Sequence, residues 1–196
     1  MSRFSVEVFA HVMGVILVFV GYGTLLLTVA AMRRATRSEQ LRAITSALLA
    51  SRRIGRERLS AIDLVAIAGV LLIALTGLDM AFSLQLIREP WIDVAIGSFV
   101  LLAPIGPLVI NPRLHRIADA ADLEPNCPIS TALHTRTRDP ILTMALGGSL
   151  GILVGIVFLM TTKPELSTSI TAVAIAVVAG MAISWPFASR RADPVL

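Results

Sequence analysis

Charge is what this sequence lacks most. Only 15% of its 196 residues are Asp, Glu, Lys or Arg, against 56% hydrophobic, and the mean hydropathy is +0.82. A soluble domain is usually about 25% charged, so a chain this poor in charge has too little to cover a water-facing surface. Cysteine is almost missing: Cys127 stands alone, which excludes an intramolecular disulfide and any cysteine-based zinc or iron–sulfur centre within one chain. There are three histidines, His11, His115 and His134, and no serine or cysteine is paired with one at a legible nucleophile–base spacing. Glycine-rich phosphate loops are absent. No internal repeat is detectable either, which does not suit the two inverted halves of a secondary transporter.

What is present is long apolar runs. Val8–Met32 holds 25 residues without an Asp, Glu, Lys or Arg and is closed by Arg33-Arg34. At 1.5 Å per residue it spans roughly 37 Å, enough to cross a hydrocarbon core of about 30 Å with some tilt. Cutting the chain at its charges gives five spans, at about 8–32, 64–87, 94–112, 141–162 and 167–189. The expected fold is therefore all-α: a five-span transmembrane helix bundle forming a single integral membrane domain over 1–196. The third span carries Pro104, Pro107 and Pro112, which predicts a kink in its second half.

Arginine placement predicts the threading. Fourteen of the seventeen Lys and Arg fall in 33–60, 113–138 and the C-terminal tail; the other three are Arg3, Arg88 and Lys163. By the positive-inside rule the N-terminus is outside and the C-terminus cytoplasmic, with cytoplasmic loops 33–60 and 113–139 in a bacterial inner membrane. The same distribution explains the net charge of +4 without nucleic acid. A secretory signal peptide is not expected, because the first run is too long and its arginines follow it. Trp91 and Trp185 fall at span ends, where interfacial tryptophans sit.

In the first loop, Leu41, Ile44, Leu48 and Leu49 recur at helical spacing, with Arg42, Ser46 and Arg53 opposite. This predicts a basic amphipathic helix over 38–54, lying in the membrane plane on anionic lipid; a partner's docking site is the alternative. The second loop begins as an amphipathic extension of the third helix to Leu123 and breaks at Glu124-Pro125-Asn126-Cys127-Pro128. His115, Cys127 and His134 match no metal-ligand spacing and read as solvated loop residues.

Helix packing is signalled by Gly147, Gly151 and Gly155, a GxxxGxxxG stripe in the fourth span. Small residues at this spacing let membrane helices approach closely. The fifth span offers Ala172, Ala176, Ala179 and Gly180, so a tight hairpin through Lys163-Pro164-Glu165 is expected, with a homodimer seam as the alternative.

Candidate chemistry gathers at the other end of the first two spans. Glu7 and His11, four residues apart, share a helix face. Asp79 is the only carboxylate deep in a span, with Thr76 and Ser83 on its stripe. A carboxylate there costs about 2.5–3.5 kcal/mol on insertion scales and normally faces protein, water or a pathway. In the expected threading Glu7, His11, Asp79, Arg88 and Asp93 converge on an outward-facing pocket, with Glu7, His11 and Asp79 as a proton or ion pathway. The alternative is that Asp79 bonds to His11 or to hydroxyls and serves packing alone. Haem would take His11, but the second ligand would have to be Met13, Met80 or another copy's His11. Copper would find methionines but no clustered MxxM or HxH motif.

Four features, His11 with Gly21-Tyr22-Gly23, LTGLDMAF at Leu75–Phe82, Trp91, and NPRLHRI at Asn111–Ile117, together resemble an uncharacterised bacterial family of predicted integral membrane proteins. That family looks distantly similar to the copper-resistance D proteins and to the membrane-bound haem-containing protoporphyrinogen oxidase type. The resemblance covers roughly residues 8–120 and implies a haem-binding role for His11. Two function classes follow. One is a non-enzymatic subunit, accessory or scaffold protein, packed as a homo-oligomer or against a membrane partner. The other is a small permease or redox-linked protein using Glu7, His11 and Asp79 for a proton, a copper ion or haem.

Overall fold

The computed structural model describes residues 2–48, 52–54, 57–59, 61–85, 88–125 and 128–189; Cys127 and the arginines of the C-terminal tail lie outside them. Helix α1 runs Arg3–Arg34, α2 Ser38–Leu48, α3 Ala61–Ser83, α4 Pro90–Leu102, α5 Asn111–Leu123, α6 Thr131–Thr137, α7 Pro140–Thr162 and α8 Leu166–Ser189. Among the described residues, five helical stretches are long and apolar enough to cross a membrane.

Helix α1 starts five residues before its apolar run because Ser2 caps it, its side chain accepting a hydrogen bond from the Ser5 amide. Arg3 and Glu7 thereby join the helix as stacked neighbours. The third span is interrupted as its prolines predict: α4 ends at Leu102, a π-helical turn spans Gly106–Ile110, and α5 continues from Asn111. The predicted amphipathic helix over 38–54 is shorter than expected. Helix α2 ends at Leu48, and β1 (Arg52–Ile54) pairs antiparallel with β2 (Glu57–Leu59); Leu49 lies outside the described residues. At Leu41 and Ile44 the apolar face of α2 is packed into the core. Leu41 is fully buried, α2 packs on α5, and the Ser38 hydroxyl donates to the Pro125 carbonyl at 2.7 Å.

The bundle is organised around α7. Its most apolar stretch is 61% buried, against 17% for α3 and 6% for α8. Two helix pairs dominate the packing, α1 with α3 and α7 with α8, and α4 and α1 bridge to α7. The expected α7–α8 hairpin is formed, and its glycines explain the closeness. A Cβ on Gly151 would lie 2.8 Å from the Val177 Cα, and one on Gly147 would collide with Gly180 and Ser184 of α8. At Gly155 the fit is looser, 3.2 Å to the Val173 Cα. The turn closes through Lys163 in the left-handed conformation, its amide donating to the Leu159 carbonyl at 2.9 Å.

The α1–α3 pair is also a glycine crossing. A Cβ on Gly14 would lie 2.9 Å from the Leu72 Cβ, and one on Gly69 would lie 2.9 Å from the Gly14 carbonyl. Dispersion contacts across such crossings hold membrane helices together where lipid removes the hydrophobic drive.

Candidate functional site

The antiparallel α1–α3 crossing sets the N-terminal turns of α1 beside the last turns of α3. Arg3 is the residue that joins them. Its guanidinium bonds Glu7 at 2.5 Å within α1 and Asp79 at 2.8 Å across the seam. Asp79 lies near the C-terminus of α3, where the helix dipole disfavours a carboxylate, and Arg3 near the N-terminus of α1, where it disfavours a cation. Each offsets the other. The Glu7 side chain is 17% exposed, that of Asp79 42% and that of Arg3 78%, so the bridge is tucked in at the acid end and open at the arginine.

One turn deeper, His11 is buried. Its Nδ1 lies 3.1 Å from the Thr76 hydroxyl, which itself donates to the Leu72 carbonyl at 2.5 Å. With that hydroxyl proton directed to Leu72, Thr76 accepts from an Nδ1–H. The imidazole lies against Gly77, where a Cβ would sit 3.0 Å from the ring Cε1. Gly77 is therefore the notch that admits the ring.

The structure thus gathers Glu7 and Asp79 through Arg3 and gives His11 to Thr76. Arg88 and Asp93, expected at the same pocket, are exposed at the start of α4, which packs on α7 and α8. Trp91 is buried in a small cluster with Ala81 and Ile92, whereas Trp185 is 55% exposed. His115 and His134 lie in α5 and α6, at the opposite end of the bundle from His11, and both are half-buried.

Sequence reasoning passed over Arg3, counting it only as an outer charge. The signal was its four-residue spacing from Glu7. It also passed over the spacing of His11, Tyr22 and Arg33. Eleven residues at 100° each return to within about 20° of the same face, and this is the face α1 buries, with Val18, Val29 and Met32. At its far end the Arg33 guanidinium bonds the Thr137 carbonyl at 3.1 Å and the Thr143 hydroxyl, tying α1 to α6 and α7. Nearby, Arg113 bonds Asp139 at 3.0 Å and Asn111 donates to Asp63 at 3.0 Å.

Residues 6–164 match the family described as predicted integral membrane protein (DUF2269). The chain belongs to this family. The match runs from residue 6 in α1 to the end of α7 and includes Glu7, His11, Thr76 and Asp79, while Arg3 lies just outside it. No curated protein and no solved structure matches the chain. Within this family the chain is a multi-helix integral membrane protein; the glycine crossings and the Arg3 bridge are the features its geometry adds.

Proposed function

We propose that the protein is a non-enzymatic subunit or scaffold of the bacterial inner membrane, threaded with the N-terminus outside and the C-terminus in the cytoplasm. The observation that carries this reading is the bonding of polar groups across the α1–α3 seam. The carboxylate and the imidazole that a pathway would need are engaged by Arg3 and Thr76. They staple two helices together. The peripheral helices α3 and α8 meanwhile present apolar faces, with Leu75 68%, Val178 66% and Ile183 70% exposed, to lipid or to a membrane partner.

The permease reading keeps one observation in its favour: Glu7, His11 and Asp79 do lie at one end of one seam. The haem and copper versions fit less well. No group of three or more His, Cys, Asp or Glu among the described residues could hold a metal ion, and the bond of His11 runs to Thr76 while the other histidines sit at the far end. A two-histidine haem within one chain does not fit this arrangement.

A photo-reactive side chain at Ile175 on α8, cross-linked in native membranes, tests the proposal together with the absorption spectrum and copper content of the purified protein. The scaffold reading predicts one discrete protein adduct, a second copy or a partner, from a colourless and metal-free protein. Lipid adducts alone, or a Soret band or stoichiometric copper lost in His11→Ala, would overturn it.

A further inference from the structure

At the arginine-rich end, α5, α6 and the start of α7 enclose an open cleft of about 500 Å³. Arg113, Arg116 and Arg136 line it with a single carboxylate, Asp139. The carboxylate is already engaged, because Arg113 and Asp139 form a half-buried pair at 3.0 Å. Arg116 and Arg136 are exposed, and neither guanidinium has an ion-pair or hydrogen-bond partner among the described residues. Arg116 and Arg136 stand on the ridge between this cleft and an adjoining one, which they also line and which holds two further acids. Glu124 is turned onto Ser130, accepting from its amide and its hydroxyl, and Asp119 lines that cleft and not this one.

Depth in the bilayer decides what such a cleft meets. Arg113 is the first charge after the third apolar stretch, and Asp139 precedes the first residue of α7. The Arg113–Asp139 pair therefore marks the edge of the hydrocarbon. Arg116 is three residues farther along α5, roughly 4.5 Å beyond Arg113, which is headgroup depth, and Arg136 on α6 lines the same cleft. Ile117 and Pro140 add apolar wall on the same cleft, and Thr135 adds a hydroxyl. A planar guanidinium fork matches phosphate oxygens, and basic pockets between helices at a membrane face are where anionic headgroups are held.

We infer that this cleft binds the phosphodiester headgroup of an anionic phospholipid, with Arg116 and Arg136 on the phosphate and Ile117 and Pro140 against the glycerol end. The site is separate from the one first expected, the basic face of α2.

The test uses the full-length protein in a neutral detergent. It is titrated with short-chain phosphatidylglycerol, phosphatidylcholine or inorganic phosphate, and binding is read by thermal melting and by native mass spectrometry. Wild type is expected to bind phosphatidylglycerol about tenfold more tightly than phosphatidylcholine, and Arg116→Gln/Arg136→Gln to lose about that factor. Arg34→Gln/Arg37→Gln, which removes the same charge from the same end outside the cleft, is expected to keep the preference. Equal binding of the two lipids by wild type overturns the inference even if the cleft variant does not fold. Equal loss in both variants overturns it in favour of general surface charge. Stabilisation by millimolar inorganic phosphate, without a phosphatidylglycerol preference, overturns the lipid assignment in favour of a soluble phosphate.

Discussion

The polar contact at the heart of the α1–α3 seam is small: one imidazole, one hydroxyl and the glycine that makes room for the ring. Hydrogen bonds between membrane helices contribute about 0.6–2 kcal/mol. Thr76→Val, which removes the hydroxyl bonded to His11 Nδ1, is therefore expected to lower unfolding free energy by about that amount, measured by denaturant titration in detergent. Gly77→Ala is expected to do the same by a different route, since a Cβ would sit 3.0 Å from the ring Cε1 and would push the ring off Thr76. Combining the two changes should cost less than their sum, because both act on one contact. Full additivity would show that His11 is held by something else. At this scale the sequence was partly legible. It placed Glu7, His11 and Asp79 at one end of the bundle, but pairwise choice depends on the crossing angle of two helices, which no spacing within one helix reveals. Arg3 escaped notice for a related reason: its role exists only because the Ser2 cap extends α1 back to it.

Glycine placement, more than side-chain polarity, decides which helices pair. Gly151→Leu would drive a side chain into the α8 backbone, where even a Cβ lies 2.8 Å from the Val177 Cα; overpacking of this kind costs about 1–3 kcal/mol. Gly23→Ala, with nothing within 4 Å of the added carbon, is expected to be neutral or stabilising by up to about 1 kcal/mol. Thermal melts of the two variants check both, and a destabilised Gly23→Ala would point to a neighbour on that face. The GxxxGxxxG repeat made the α7–α8 seam readable in advance because periodicity on one helix is a local property. The Gly14–Gly69 crossing was not readable, since it is made by one glycine from each of two distant helices. Helix α2 shows the opposite effect. Its amphipathic pattern was correctly seen, but the same pattern fits lipid or protein, and the α5 extension happens to be there to cover Leu41.

Taken as a whole, the molecule is two glycine-sealed helix pairs joined through α7, with the arginines of its described residues concentrated at one end. The five spans were legible because hydrocarbon thickness imposes their length. The division into pairs was not, because it follows from tertiary choice among similarly apolar helices. For the proposed threading, a fluorescent protein fused after Leu196 is expected to fluoresce and alkaline phosphatase at the same point to be inactive; the reverse pattern would invert the orientation. The claim that Glu7, His11 and Asp79 hold helices together, and do not conduct, meets its most direct test in reconstituted vesicles carrying a pH-sensitive dye and an imposed potential. Wild type and Asp79→Asn are both predicted to acidify no faster than empty vesicles. Acidification by wild type that Asp79→Asn abolishes would contradict the account.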